Sequence, residues 1–563
     1  MHESRRWRTY QGVTAAALVT GIALFLASAG FTLWQNTRVA VLWDLTYLLD
    51  DAWRFSLGQL PYRDLPFAHA PLTFLLHTAI VKVCGRVYYP HVVCAAVESG
   101  LGTILTWRIL LRLNLPRWQA AALAAPLVVL GIYSIYPHPI YDGDAALTIL
   151  VALYLLQRGE ARPARALCFC AGAACVLPIF FKQNIGLAFL GATFGYTAIS
   201  AVLARRSGSR LAPQLWTAAG MASALALGAC IVQYTVGLPH YLYWTVGFAA
   251  QRRLPGLRVL LSAYHQPSLL WSLPAAATAV MLLRSTDTRR VLRMTAFVLL
   301  ASPFLWTVIS FVIEPDADDR ADQLLSLWPH LLILGAALAL ANLRPSVFRK
   351  QPLFRAFLPM ILLVTIHGTF LSQQLWGSTY AIWPLLVLLL PGLLETVEEV
   401  KQPLMLVISA TLLVCGGVYA TSLERLSYIH LDGPVAHATL PALHRMATPG
   451  SFLPEFEGLV HFADTEIPAK DGILIIPGEV PFYFATGRTP QFPILLFDPA
   501  TDPYAPQQTL QEAHRHGIQW VMVGRHLQLN ADPHPDLPQI TSAVLTDYAL
   551  YRHLPGYDVY RRK

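Results

Sequence analysis

Charge is what this chain has least of. Asp, Glu, Lys and Arg make up 13% of its 563 residues, about half the usual share of a soluble domain. Hydrophobic residues make up 55%, and the mean hydropathy is +0.47. That balance excludes an ordinary soluble enzyme and marks a polytopic membrane protein. The net charge of +8 does not imply nucleic acid, because the arginines gather in short clusters between hydrophobic spans and not on one basic face. Cysteine is scarce too. Cys84, Cys94, Cys168, Cys170, Cys175, Cys230 and Cys415 fall in or beside apolar runs and none follows, so neither a disulfide framework nor a zinc motif is offered. There is no GxxxxGK loop to cradle a phosphate, no solenoid repeat and no low-complexity tract.

What the chain has is long apolar runs. Windows of about 19 residues place spans near 13–34, 91–111, 120–136, 145–156, 166–181, 185–203, 215–236, 268–283, 291–313, 324–340, 354–371, 380–394 and 404–420, about thirteen helices in all. Arginine bias sets their orientation. With Arg5, Arg6 and Arg8 cytoplasmic, the same side receives the clusters around Arg112, Arg162, Arg205, Arg289 and Arg349. The opposite side receives the loop after Trp43, the Asp142/Asp144 turn, Lys182, the Arg252/Arg253 loop, the acidic loop EPDADDRADQ and the 376–380 turn. An odd span count puts the C-terminus outside. Ala27-Ser28-Ala29 resembles a signal-peptide cleavage site, but the apolar run continues to Trp34, longer than a usual signal core, so the first span is expected to be retained. Two short segments break the pattern. Leu45, Leu48, Leu49, Ala52 and Trp53 recur at helical spacing with Asp50 and Arg54 opposite, and Pro71 to Gly85 is apolar but too short to span; both read as helices lying at the interface.

Residues 1–422 thus form the membrane part, with a first outer loop near 35–90. Residues 423–563 mix charge, Pro, Gly and His, with strand-type runs ILII (473–476) and WVMV (520–523) around a helical stretch at 507–516. Strand, helix, strand is the signature of a small α/β domain.

Acidic groups next to lipid cost several kcal/mol unless they line a site or a watery interface, so the first outer loop, with Asp44, Asp50, Asp51, Asp64 and His69, is the leading functional candidate. Asp44 has an alternative role as cap of a helix starting at Leu45. Asp142 and Asp144 flank a glycine and read either as a solvated turn or as an acceptor-orienting or divalent-cation pair (Mg or Mn), to which Asp44 could add an oxygen. Lys182 interrupts apolar sequence at the outer edge. It could meet a phosphate or snorkel to headgroups; Arg252, Arg253 and Tyr380 are further phosphate candidates. EPDADDRADQ lacks EF-hand spacing and reads as a solvated acidic loop.

The order Asp44, amphipathic helix, GQLPYRDLPFAHAPL, then Asp142-Gly143-Asp144, FKQN (181–184), GSTY with Trp383-Pro384, EIPAKDGILIIPG and YFATGR resembles the GT-C glycosyltransferases of the protein mannosyltransferase and aminoarabinose transferase group. The resemblance spans essentially the whole chain. It departs where the aminoarabinose branch reads Asp-Glu and this chain has Asp44-Leu45, which leaves donor and acceptor open. It implies transfer of a sugar from a polyprenyl-phosphate carrier to a lipid, glycan or protein acceptor on the outer face of a bacterial inner membrane, with the family's catalytic aspartate at Asp44. A carboxylate there can take the proton from the attacking hydroxyl. A transporter or flippase of a lipid-linked saccharide is the alternative, but ionisable residues are few at mid-span positions where one would need them; a non-catalytic assembly protein would show no dependence on a donor lipid.

Overall fold

The computed structural model describes residues 15–133, 138–209, 211–253, 255–285, 290–344, 351–371, 381–422, 426–499 and 501–563. A helix falls on each of the thirteen apolar runs. Among the described residues seven are long and apolar enough to cross a membrane: Ala15–Asn36, Tyr89–Arg112, Gln183–Arg206, Ala212–Thr235, Arg290–Ile313, Asp319–Asn342 and Glu398–Thr421. Shorter apolar helices complete the bundle, among them Leu269–Arg284, Leu353–Thr369 and Trp383–Glu395. Their outer faces are bare leucine, isoleucine and valine, such as Leu18, Ile22 and Leu26, Leu227 and Ile231, or Val291, Val298 and Val312. Apolar side chains turned outward along whole helices require lipid. The chain is a polytopic α-helical membrane protein.

Small residues bring the helices together, as expected where lipid removes the hydrophobic drive between them. In α1 (Ala15–Asn36), Ser28 Oγ lies 3.1 Å from Ser99 Oγ and 2.9 Å from Thr103 Oγ1 of the long helix Tyr89–Arg112. Gly172 and Gly220 sit reciprocally against the backbone of Thr217 and Phe169, where a Cβ on either would collide with a carbonyl.

Between these two long helices lie α2 (Leu42–Leu45), a π-turn (Thr46–Asp50), α3 (Asp51–Ser56) and α4 (Leu72–Cys84), the two short helices expected of the first loop. Gly85 closes α4 at φ +77°, a conformation glycine adopts without cost. We number the long helix Tyr89–Arg112 α5. It is followed by α6 (Arg117–Ala124), α7 (Tyr141–Ala161), α8 (Arg165–Ala174), α9 (Leu177–Phe181) and α10 (Gln183–Arg206). The run expected at 120–136 is not one α-helix: Pro126 forces a 3₁₀ turn over Ala125–Val128, having no N–H to continue the ladder. The run at 166–181 is likewise split, with Pro178 in the first turn of α9. The acidic stretch expected as a loop is helical over Ala317–Leu325, with Arg320 Nη1 donating to the Glu314 carbonyl at 2.9 Å.

Among the described residues, the turns that follow Arg112 and Arg158 and the one that precedes Arg355 meet at one end of the bundle. Arg112 and Arg158 both lie 5.8 Å from the Tyr154 ring, Glu160 accepts the Phe354 N–H at 3.0 Å, and Arg355 pairs with Glu395. The first loop and the C-terminal region occupy the other end. There β1 (Val435–His437) and β2 (Ala447–Pro449) form an antiparallel ribbon. A four-stranded sheet in the order β3-β4-β6-β5 combines β3 (Gly472–Ile476), β4 (Ile518–Gly524), β5 (Tyr548–Leu554) and β6 (Tyr557–Arg562). β3 and β4 are parallel, joined through the helix Pro506–Arg515 as the strand-helix-strand pattern requires.

The two parts of that end are locked together. Asp50 accepts the N–H groups of Tyr483 and Phe484 at 3.3 and 2.6 Å. Arg54 donates to the carbonyls of Phe492 and Pro493 at 2.8 and 3.0 Å. Periodicity places Asp50 and Arg54 on the polar face of an interfacial helix; the structure buries that face under the C-terminal region, where backbone groups replace water as partners.

Candidate active site

Asp44 lies inside the first turn of α2, not at its cap: the helix begins at Leu42 after Val41, so the capping role at Leu45 falls away. Its carboxylate is partly exposed, accepts the Tyr428 hydroxyl at Oδ2 over 3.0 Å, and has His138 Nε2 at 4.0 Å. Tyr47, three residues on, shares its helical face. The Tyr47 hydroxyl donates to Asp498 Oδ2 at 2.7 Å and lies 3.2 Å from Thr501 Oγ1.

From Tyr47 an aromatic row leads across the site. Its ring meets His69 edge-on at 5.3 Å, His69 stacks on Tyr141 at 5.1 Å, and Lys182 Nζ lies 5.3 Å from the Tyr141 ring centre, a cation–π distance. Lys182 also pairs with Asp142, and both side chains are nearly buried. The snorkelling role is thereby excluded.

Sequence explains how Lys182 gets there. It caps the end of one helix and the start of the next: its N–H closes α9 on the Pro178 carbonyl at 2.9 Å, and its carbonyl accepts from Gly186 at 3.0 Å to open α10. Between them its backbone is extended, at φ −148° and ψ 112°. A Cβ on Gly186 would strike the backbone of Pro178 and Ile179, so glycine allows the elbow. Gln183 ties it to the first loop, donating to the Ala68 carbonyl at 3.0 Å.

Asp142 and Asp144 share the first turn of α7 but not a site, and neither is a solvated turn. Asp142 turns to Lys182. Asp144 accepts from Thr73 Oγ1 at 2.5 Å and from the Tyr133 hydroxyl, with Glu98 beside it. Gly143 leaves room for the Tyr133 ring, which a Cβ would strike. Among the described residues no three His, Cys, Asp or Glu side chains converge as metal ligands do.

Asp51 lines a narrow cleft with Tyr47, Arg54, His69 and Thr501. Burial pushes its carboxyl up to about 7 against the opposing pull of Arg54. Asp64 stands apart: it accepts from the Leu60 N–H at 2.9 Å and pairs with Arg63 on the surface, and the Arg63 hydrogen bond holds it below the usual carboxylate range. Arg252 is exposed and reaches the Pro499 carbonyl at 3.4 Å, not the aromatic row. The Arg253 side chain and Tyr380 lie outside the described residues.

Residue spacing gave no notice of Tyr428, His138, Asp498 or Glu98. Tyr47 and Tyr141 were legible in principle, one turn from Asp44 and next to Asp142.

The described chain is therefore a membrane bundle in which a carboxylate on the first loop, an aromatic row and a buried cation follow one another at the end that meets the C-terminal region. No family model and no curated protein matches it. Among solved structures it is similar to the crystal structure of ArnT from Cupriavidus metallidurans bound to undecaprenyl phosphate, over 98% of each chain, at 12% identity and a TM-score of 0.47.

Proposed function

We propose that the protein is a GT-C-type glycosyltransferase that moves a sugar from a polyprenyl-phosphate carrier to an acceptor hydroxyl on the extracytoplasmic face, with Asp44 as general base. The observation that carries this reading is the continuous row Asp44 face, Tyr47, His69, Tyr141, Lys182, which sets a carboxylate and a buried cation at opposite ends of one aromatic surface. Asp44 takes the proton of the attacking hydroxyl. As the new bond forms at the anomeric carbon, the bond to the carrier phosphate breaks on the opposite side, inverting that centre. Lys182 offsets the negative charge left on the phosphate, and Asp142 neutralises Lys182 while the site is empty. Sugars stack on aromatic faces, and Tyr47 and Tyr141, both half-buried, supply them, with His69 packed between the two rings. Arg252, Arg253 and Tyr380 are the further candidates for the carrier phosphate. Residues 423–563 form a domain on the same outer side.

Asp44→Asn tests the reading, because Asn keeps the size of Asp and is a very poor base. The purified variant is expected to lose transfer from a polyprenyl-phosphate sugar by a factor of about 100 or more while keeping its elution profile and unfolding temperature. Turnover at the unmodified rate would remove Asp44 as the base.

A further inference from the structure

We infer that Tyr428 and Gln528, both beyond the last membrane helix, are positioning residues for the Asp44 carboxylate, so that the C-terminal region is a working part of the transfer site. The inference rests on the reading of Asp44 as base and deepens it.

Gln528 is fully buried, and its side-chain amide is spent on the chain just before Asp44. Its Oε1 accepts the Leu42 N–H at 2.8 Å, and its Nε2 donates to the Ala40 carbonyl at 2.9 Å and to Thr448 Oγ1 at 2.8 Å. The Leu42 N–H opens α2 and has no partner within the helix; Gln528 supplies one from 486 residues away. The start of the helix that carries Asp44 is therefore fixed by the C-terminal region.

Tyr428 fixes the carboxylate itself through the 3.0 Å bond to Oδ2. It is coupled to Gln528 through backbone: His430 N–H donates to the Gln528 carbonyl at 2.7 Å, and Asn530 N–H to the Tyr428 carbonyl at 3.0 Å. Val39, Val41 and Trp43 pack with Leu426, Ile429 and Leu496 in one apolar cluster, which holds the two segments in register. A base must be placed to within about 0.5 Å to work, and here the amide sets the helix while the hydroxyl sets the carboxylate. Among the described residues, His138, at 4.0 Å from Oδ2, and Tyr47 on the same helical face, whose hydroxyl donates to Asp498, also face this point.

The experiment reads Asp44 directly and needs no sugar donor. The full-length protein in detergent is modified with a carbodiimide, which reacts with the protonated carboxyl, and labelling of Asp44 is followed by mass spectrometry across pH. Tyr428→Phe keeps the ring and removes the hydroxyl. Losing a hydrogen bond to the charged form moves the labelling midpoint of Asp44 upward by roughly one pH unit, with the unfolding temperature unchanged. Gln528→Leu moves it in the same direction, and the double variant goes no further than the larger single change, as expected for residues acting through one group. A midpoint that stays in place in Tyr428→Phe overturns the inference. A midpoint that moves while Asp44→Asn still transfers sugar leaves the positioning intact and overturns the role of Asp44 as base.

Discussion

Lys182 and Asp142 form an ion pair whose side chains are 8% and 11% exposed, one at the elbow between two helices and the other in the first turn of a third. Removing one partner of such a pair leaves a charge buried without compensation, which costs about 3–5 kcal/mol, whereas replacing both can be nearly neutral.

Lys182→Met is therefore expected to lower the unfolding temperature in detergent, and Lys182→Met with Asp142→Leu to recover most of the loss. If Lys182 also meets the carrier phosphate, the double variant recovers stability without recovering donor use, so that its rate against donor concentration stays displaced to higher donor. Matching donor curves for the double variant and the unmodified protein would take Lys182 out of the phosphate site.

Gly186→Ala tests the elbow. A methyl group there must displace the Pro178–Ile179 backbone, and overpacking of this kind costs about 1–3 kcal/mol. A lowered unfolding temperature is expected together with weakened donor binding, because the displaced segment carries Lys182. Gly191, whose added Cβ would meet nothing within 4 Å, serves as the control: Gly191→Ala leaves donor binding unchanged and does not lower the unfolding temperature.

The buried carboxyls near the junction set a pH dependence. Asp51 is raised from an ordinary 3.8 to about 7 and Glu479 from 4.5 to about 7, both by burial. Between about pH 4 and 7 the folded chain then holds protons that the unfolded chain has released, so stability falls as pH rises through that window. Thermal unfolding at pH 5.5 is expected at a higher temperature than at pH 8, with Asp51→Asn flattening the difference. A flat profile in the unmodified protein, or a slope that Asp51→Asn leaves unchanged, would contradict this.

Sidedness is open to labelling, since no native cysteine follows Cys415. Cysteines introduced at exposed positions such as Ala549 and Asp532 are expected to react with an impermeant reagent in intact cells. One introduced near Arg162, in an arginine-rich turn, should react only after permeabilisation. The reverse pattern would invert the topology and move Asp44 to the cytoplasmic side.

Local chemistry wrote most of the fold into the sequence. Apolar run length set the helices, and Pro126 and Pro178 set where they break. These are properties of near neighbours in the chain, so a linear reading reaches them. The sequence also singles out Asp44, Asp142, Asp144 and Lys182, because polar groups beside lipid are conspicuous. Their partners were not. Asp142 and Asp144, two residues apart, look like one pair, and only packing sends one to Lys182 and the other to Tyr133, Thr73 and Glu98. Asp44 meets Tyr428, and Leu42 meets Gln528, across 384 and 486 residues. No periodicity links such positions. They meet because the C-terminal region folds back onto the first loop, where buried donors and acceptors must find one another once water is gone.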